Sequence, residues 1–192
     1  MFPGDDVLRE LARRLSMLQG ERYAGALITE AVWRKGSPKN PQEPLRILRD
    51  CHGFFTVEVW DDCGTLTVTM LLNHRKRSIP PRLIPRPCRA AENEHMWHVF
   101  SAGEVAEFTA QAGDTNVLHT GEHPVVPGLL MLECLLADER FRDVSRLQMK
   151  FRQAAFAGDA LYLSLAGDAF QIFSARQLLC EGHIVNKYNQ TI

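Results

Sequence analysis

A carboxylate, an amide and two imidazoles crowd into one short polar stretch of this 192-residue chain: Asp114, Asn116, His119 and His123. A carboxylate accepts a proton and an imidazole titrates near neutral pH, so Asp114 and His119 are read as a general acid/base pair, with Asn116 in the same candidate catalytic set. Two plainer readings stand beside this one. An aspartate after a glycine commonly closes its own turn, and a lone histidine is commonly a core residue. The three side chains together, between two elements that read as buried, favour catalysis. Asp114-x-Asn116 also has the start of a calcium loop, but Val117 and Leu118 fill positions where further oxygen ligands are needed. Neither a metal nor a cofactor is expected.

The elements that must hold these residues are legible on both sides. Ser101 followed by Glu104 is a capping box and starts a helix. Val105, Phe108 and Ala112 give it one apolar stripe, and Gly113 supplies the positive φ that ends it. Gly128 opens a second helix, Leu129 to Ala137, in which Glu133 is the only charged residue. A helix that is apolar all round is surrounded by protein, and this one is too short to span a bilayer. Glu133 either reaches the site or pairs with a basic residue at a dimer interface. Cys134 beside it reads as packing.

Phe100, Phe108, Ala112-Gly113-Asp114-x-Asn116-x-x-His119, then Pro124-Val125-Val126-x-Gly128 and an apolar helix, resemble the MaoC-like (R)-specific enoyl-CoA hydratase and 3-hydroxyacyl dehydratase family. The resemblance implies an α+β hot dog fold, an antiparallel sheet wrapped around a central helix. It also implies reversible hydration of 2-enoyl thioesters carried on coenzyme A or acyl-carrier protein. Asp114 and His119 would hold the water, and the Gly128 N–H would form the oxyanion hole. Three features depart from the family: Val117 stands where a proline follows the asparagine, Pro127-Gly128 replaces a His-Gly pair, and the loop between His119 and Gly128 is short. His123-Pro124-Val125-Val126-Pro127-Gly128 with Glu133 also resembles the acyl-carrier-protein dehydratases on the same fold, which makes His123 and Glu133 possible accessory residues. The alternatives are a hot dog thioesterase using Glu133 as base or nucleophile, and a non-catalytic module that binds acyl thioesters or a carrier protein.

A 45% hydrophobic content is enough for a core, and a net charge of -1 gives no global reason to expect nucleic acid or an anionic membrane as partner. The five cysteines are scattered and odd in number, which argues against a disulfide framework and a zinc site. The acidic, proline-bearing N-terminus does not read as a secretory signal, so a cytoplasmic protein is expected. In order, the pattern predicts an amphipathic helix over 5–19 and a strand over 23–33. A short strand over 45–48 and a hairpin over 54–72 follow. Residues 73–91 are proline-rich and basic, and read as a linker between halves; Arg75, Lys76, Arg77 and Arg82 in it are candidate contacts for substrate phosphates. After the two helices, strands are predicted at 147–151, 161–165 and 170–179, with a last short run after Gly182. The chain is therefore divided into 1–91, a degenerate hot dog half or an N-terminal extension, and 92–192, the hot dog domain. An exposed sheet edge invites pairing, so a homodimer is expected, or a pseudo-dimer within one chain.

Overall fold

Alternating apolar and polar residues build nine antiparallel strands into one sheet, and helices cover its apolar face. The computed structural model describes residues 5–18, 20, 22–23, 25–36, 45–62, 64–72, 95–174 and 177–186. The first part comprises helix α1 (Asp5–Leu15) and strands β1 (Leu27–Lys35), β2 (Leu45–Cys51), β3 (Phe54–Trp60) and β4 (Gly64–Leu71). The second comprises β5 (His95–Val99), α2 (Ala102–Ala112), α3 (Gly128–Ala137), β6 (Val144–Phe151), β7 (Ala160–Ala166), β8 (Ala169–Ser174) and β9 (Gln177–Asn186). Strand order is β2-β3-β4-β1-β6-β9-β8-β7-β5. The two parts therefore meet at one seam, where β1 pairs antiparallel with β6 from Glu30↔Lys150 to Arg34↔Arg146.

Period-two patterning decides the faces. Phe55, Val57, Val59, Leu66 and Val68 are fully buried, while Thr56, Glu58, Thr67 and Thr69 alternate with them on the outer face. Leu129, Leu130, Met131, Leu132 and Leu135 bury α3 on all sides, as its composition predicts. Each such leucine contributes roughly 1.5–3 kcal/mol by leaving water. Helix α1 packs its Leu8, Leu11 and Ala12 against β3, β4, α2 and α3, so the first part is a helix laid across antiparallel strands. Among the described residues no helix is long and apolar enough to cross a membrane.

Several boundaries differ from the sequence reading: β2 runs on to Cys51 and β6 begins at Val144, each three residues beyond the expected strand. The first helix ends at Leu15, and turns continue it to Leu18. The first strand begins at Leu27, because Tyr23 N–H bonds Gly20 O and Ala26 N–H bonds Tyr23 O, both at 3.0 Å, ahead of it. The run 170–179 is not one strand but parts of β8 and β9, which pair as a hairpin, and Gly182 lies inside β9. The hairpin connection carries no Gly, Pro, Asn or Asp to announce it. Gly182 is no breaker, since a Cβ there would fall 2.1 Å from the Gln148 carbonyl and 2.4 Å from the Phe170 ring. The proposed linker 73–91, with Arg75, Lys76, Arg77 and Arg82, lies outside the described residues.

Candidate active site

Helix α2 delivers Asp114. Ser101 accepts from the Glu104 N–H while the Glu104 carboxylate accepts from the Ser101 N–H at 2.7 Å, the reciprocal cap expected there. Gly113 ends the helix at φ 66 and ψ 26, a left-handed conformation that side-chain-bearing residues rarely hold. The next residue is thereby turned off the helix axis, and the Asp114 N–H still bonds Thr109 O at 2.9 Å.

The Asp114 carboxylate has two duties. One oxygen, Oδ1, accepts from the Asn116 N–H at 2.9 Å, which is the turn-closing role. The other, Oδ2, lies 3.5 Å from His119 Nε2. The residue thus closes its turn and faces His119 with the same carboxylate. Asn116 is engaged at both ends of its amide: Oδ1 accepts from the Leu118 N–H at 3.2 Å and caps a single helical turn over Val117–His119, while Nδ2 donates to Ala26 O at 3.1 Å. That last bond ties the loop to the first part of the chain. Asn116 therefore shapes the loop.

His119 is fixed by the backbone. Its Nδ1–H donates to Val125 O at 2.7 Å, which assigns the proton to Nδ1 in the neutral ring and leaves a lone pair on Nε2. Val125 in turn donates to Leu118 O at 2.9 Å, closing the short loop onto itself, and Val126 donates to Ala155 O at 2.8 Å. Only 11% of the His119 side chain and 29% of the Asp114 side chain are exposed. Two acceptors, Oδ2 and Nε2, thus converge from different ends of one loop. Their separation suits a bridging water better than a direct bond.

Gly128 starts α3 behind the Pro127 cap, with no side-chain cap, and its N–H meets no acceptor among the described residues. The positive end of an apolar, enclosed helix is a place for developing negative charge. Glycine is required there for a reason not visible in the sequence. A Cβ would come within 2.8 Å of two ring carbons of Phe151, whose ring lies against the start of α3. The sequence reading credits this glycine to close approach by substrate; the neighbour found there is Phe151.

Asp114, Asn116, His119 and Gly128 line one cavity of about 370 Å³. Its wall is mainly apolar and comes from both parts of the chain, with Leu15, Tyr23 and Met70 from the first and Phe108, Met131 and Phe151 from the second. Arg152, at the end of this wall, pairs with Glu181 at 2.5 Å, and together with the Lys150 charge it draws the Glu181 carboxyl below its ordinary pKa. Glu133 does not line the cavity. It is buried on α3 and its Oε1 accepts from Arg9 Nε at 3.0 Å, so its basic partner is α1 of the same chain. His123 is exposed and likewise lies off the cavity wall. Among the described residues no three His, Cys, Asp or Glu side chains gather closely enough to hold a metal ion. Phe151, the Val125 carbonyl and the Ala26 carbonyl are the members that sequence reasoning missed. Phe151 carries only a strand-pattern signal, and the carbonyls carry none.

No family model and no curated protein matches the sequence. Solved structures do match the fold. HtdX from Mycobacterium tuberculosis is 16% identical over 94% of this chain and 87% of its own, with a TM-score of 0.57. A MaoC-like dehydratase from Phytophthora capsici is 13% identical over 91% of this chain and 74% of its own, at 0.53. A provisionally assigned oleoyl thioesterase from Lactobacillus plantarum is 15% identical over 91% and 82%, at 0.50. The chain has the α+β hot dog fold that these structures share.

Proposed function

We propose that this protein is a hydro-lyase that adds water to 2-enoyl thioesters and, in reverse, dehydrates (R)-3-hydroxyacyl thioesters. The observation that carries this reading is the convergence of Asp114 Oδ2 and His119 Nε2, 3.5 Å apart, in an apolar cavity that also exposes the start of α3. One water donating to both acceptors is held and polarised. Asp114 accepts its proton as the oxygen bonds to C3, electron density shifts to the thioester oxygen, and the Gly128 N–H stabilises the charge there. The proton then passes to C2 on the face from which water came. Asn116 positions the loop rather than touching the reacting atoms.

The four strands of residues 27–71 with α1 are read as a degenerate hot dog half. It gives the chain within itself the sheet pairing that a single hot dog would seek from a second copy, so the protein is a pseudo-dimer. A second reading, thioester hydrolysis, has the same water delivered to the carbonyl carbon instead of C3, and the thioesterase of the same fold supports it. Incubation with a panel of 2-enoyl-CoA and 3-hydroxyacyl-CoA thioesters separates them. Hydration removes the conjugated double bond without releasing thiol. Thiol release with the double bond intact selects hydrolysis, and binding without turnover selects a non-catalytic module.

A further inference from the structure

Several charges on the outer face of the sheet are matched across strands, although Arg49 stands opposite neutral Thr56. Arg46 pairs with Glu58 at 2.7 Å, Arg152 with Glu181, and Glu30 faces Lys150 in register while accepting from Gln148 Nε2 at 2.6 Å. At the end of the same seam Arg34 stands directly opposite Arg146. Trp33 and Leu147 beside them point into the core, so both arginines project from the outer face. Their other cross-strand neighbours are neutral, Thr65 for Arg34 and Val185 for Arg146. Among the described residues neither guanidinium has an ion pair, and the Nε of Arg146 is shut off from solvent with no acceptor.

This arrangement is unfavourable twice over. Like charges directly opposite on a sheet repel, and a buried donor on a charged group lacks its hydrogen bond. One oxyanion between the two side chains relieves the repulsion, and it satisfies Nε once the Arg146 side chain turns toward it. Facing positions on adjacent strands carry Cβ atoms roughly 4.5–5.5 Å apart, which lets two planar forks close on a single tetrahedral anion. We propose that Arg34 and Arg146 form a phosphate-binding site on the outer face of the β1–β6 seam, taking free phosphate or a phosphate monoester. The site is separate from the cavity: Ile28 and Phe151, where the same strands reach it, lie on the inner face and about 15–20 Å further along at the usual rise per residue. Because the seam is the strand pairing that joins the two parts, an anion bound there clamps them together.

Thermal unfolding of the full chain tests this, with inorganic phosphate and methyl phosphate titrated at constant ionic strength against chloride. The melting temperature of the unsubstituted protein rises saturably with phosphate. Arg34→Gln and Arg146→Gln each weaken the apparent affinity at least about tenfold, the loss expected of a charge-assisted contact. In phosphate-free buffer the double variant melts at or above the unsubstituted protein, because repulsion is relieved. A stronger response to methyl phosphate identifies a covalently carried phosphate as the occupant, and an equal one identifies the free ion. The proposal is overturned if chloride does as much as phosphate, if the double variant keeps the response, or if it melts well below the unsubstituted protein without phosphate. The result is independent of thioester turnover.

Discussion

The two parts of the chain use one device, a helix across antiparallel strands, and put it to different ends. In residues 95–186 a capped helix, a polar loop and an apolar helix bring Asp114, His119 and Gly128 to one cavity. In the first part the helix is amphipathic, and Gly20, Tyr23 and Ala26 supply cavity wall and one carbonyl, Ala26 O, which holds Asn116. The proposed chemistry is local to the second part, while the cavity wall comes from both. On the proposed reading of the first part as a degenerate hot dog half, one copy lost its reactive loop and kept the cavity, since an apolar wall tolerates sequence change that a water-holding pair would not.

That contrast is sharpened first by His119→Ala, which is expected to lower kcat/KM for a 2-enoyl-CoA by at least about a hundredfold. Adding Asp114→Asn makes little further difference, because groups acting as a unit are non-additive; steady-state kinetics of the two single variants and the double one decide it. Gly128→Ala comes next. The new Cβ meets Phe151, and turnover is expected to fall at least about tenfold for roughly 1–3 kcal/mol of overpacking. Phe151→Leu in the same chain should restore part of the rate; no recovery would mean that the ring is not the obstacle. Third, Arg9→Ala removes a charged hydrogen-bond donor from the buried Glu133 carboxylate and should cost roughly 1–3 kcal/mol in denaturant unfolding, with the rate per folded molecule little changed. The smallest effect is expected in the first part. Met70→Ala should shift KM among acyl chain lengths a few-fold with kcat held within about twofold, since it alters uniform binding. An effect on kcat as large as that of His119→Ala would break the division of labour.

What could be read from sequence was short-range. Ser101 with Glu104, Gly113, and the Asp114-x-Asn116-x-x-His119 spacing each act within a few residues, and the structure places them as the spacing implies. The partner of Asn116 lies 90 residues away and that of Glu133 lies 124 away, so neither leaves a pattern. The ring against Gly128 comes from a strand whose alternation marks Phe151 only as inward-facing. Nothing in the sequence between Ser174 and Gln177 signals that one strand ends and another begins, and Gly182 reads as a break because close packing against Phe170 cannot be seen in one strand.

The central claim is that the loop after α2, and not the carboxylate on α3, carries the reaction. The most direct test compares Asp114→Asn with Glu133→Gln in one assay, following loss of the conjugated double bond of a 2-enoyl-CoA per folded molecule. The amide is nearly isosteric in both cases and keeps the turn at Asp114 closed. The account predicts a loss of at least about a hundredfold for Asp114→Asn and a much smaller one for Glu133→Gln. Abolished turnover in Glu133→Gln, with Asp114→Asn near the unsubstituted rate, would contradict it.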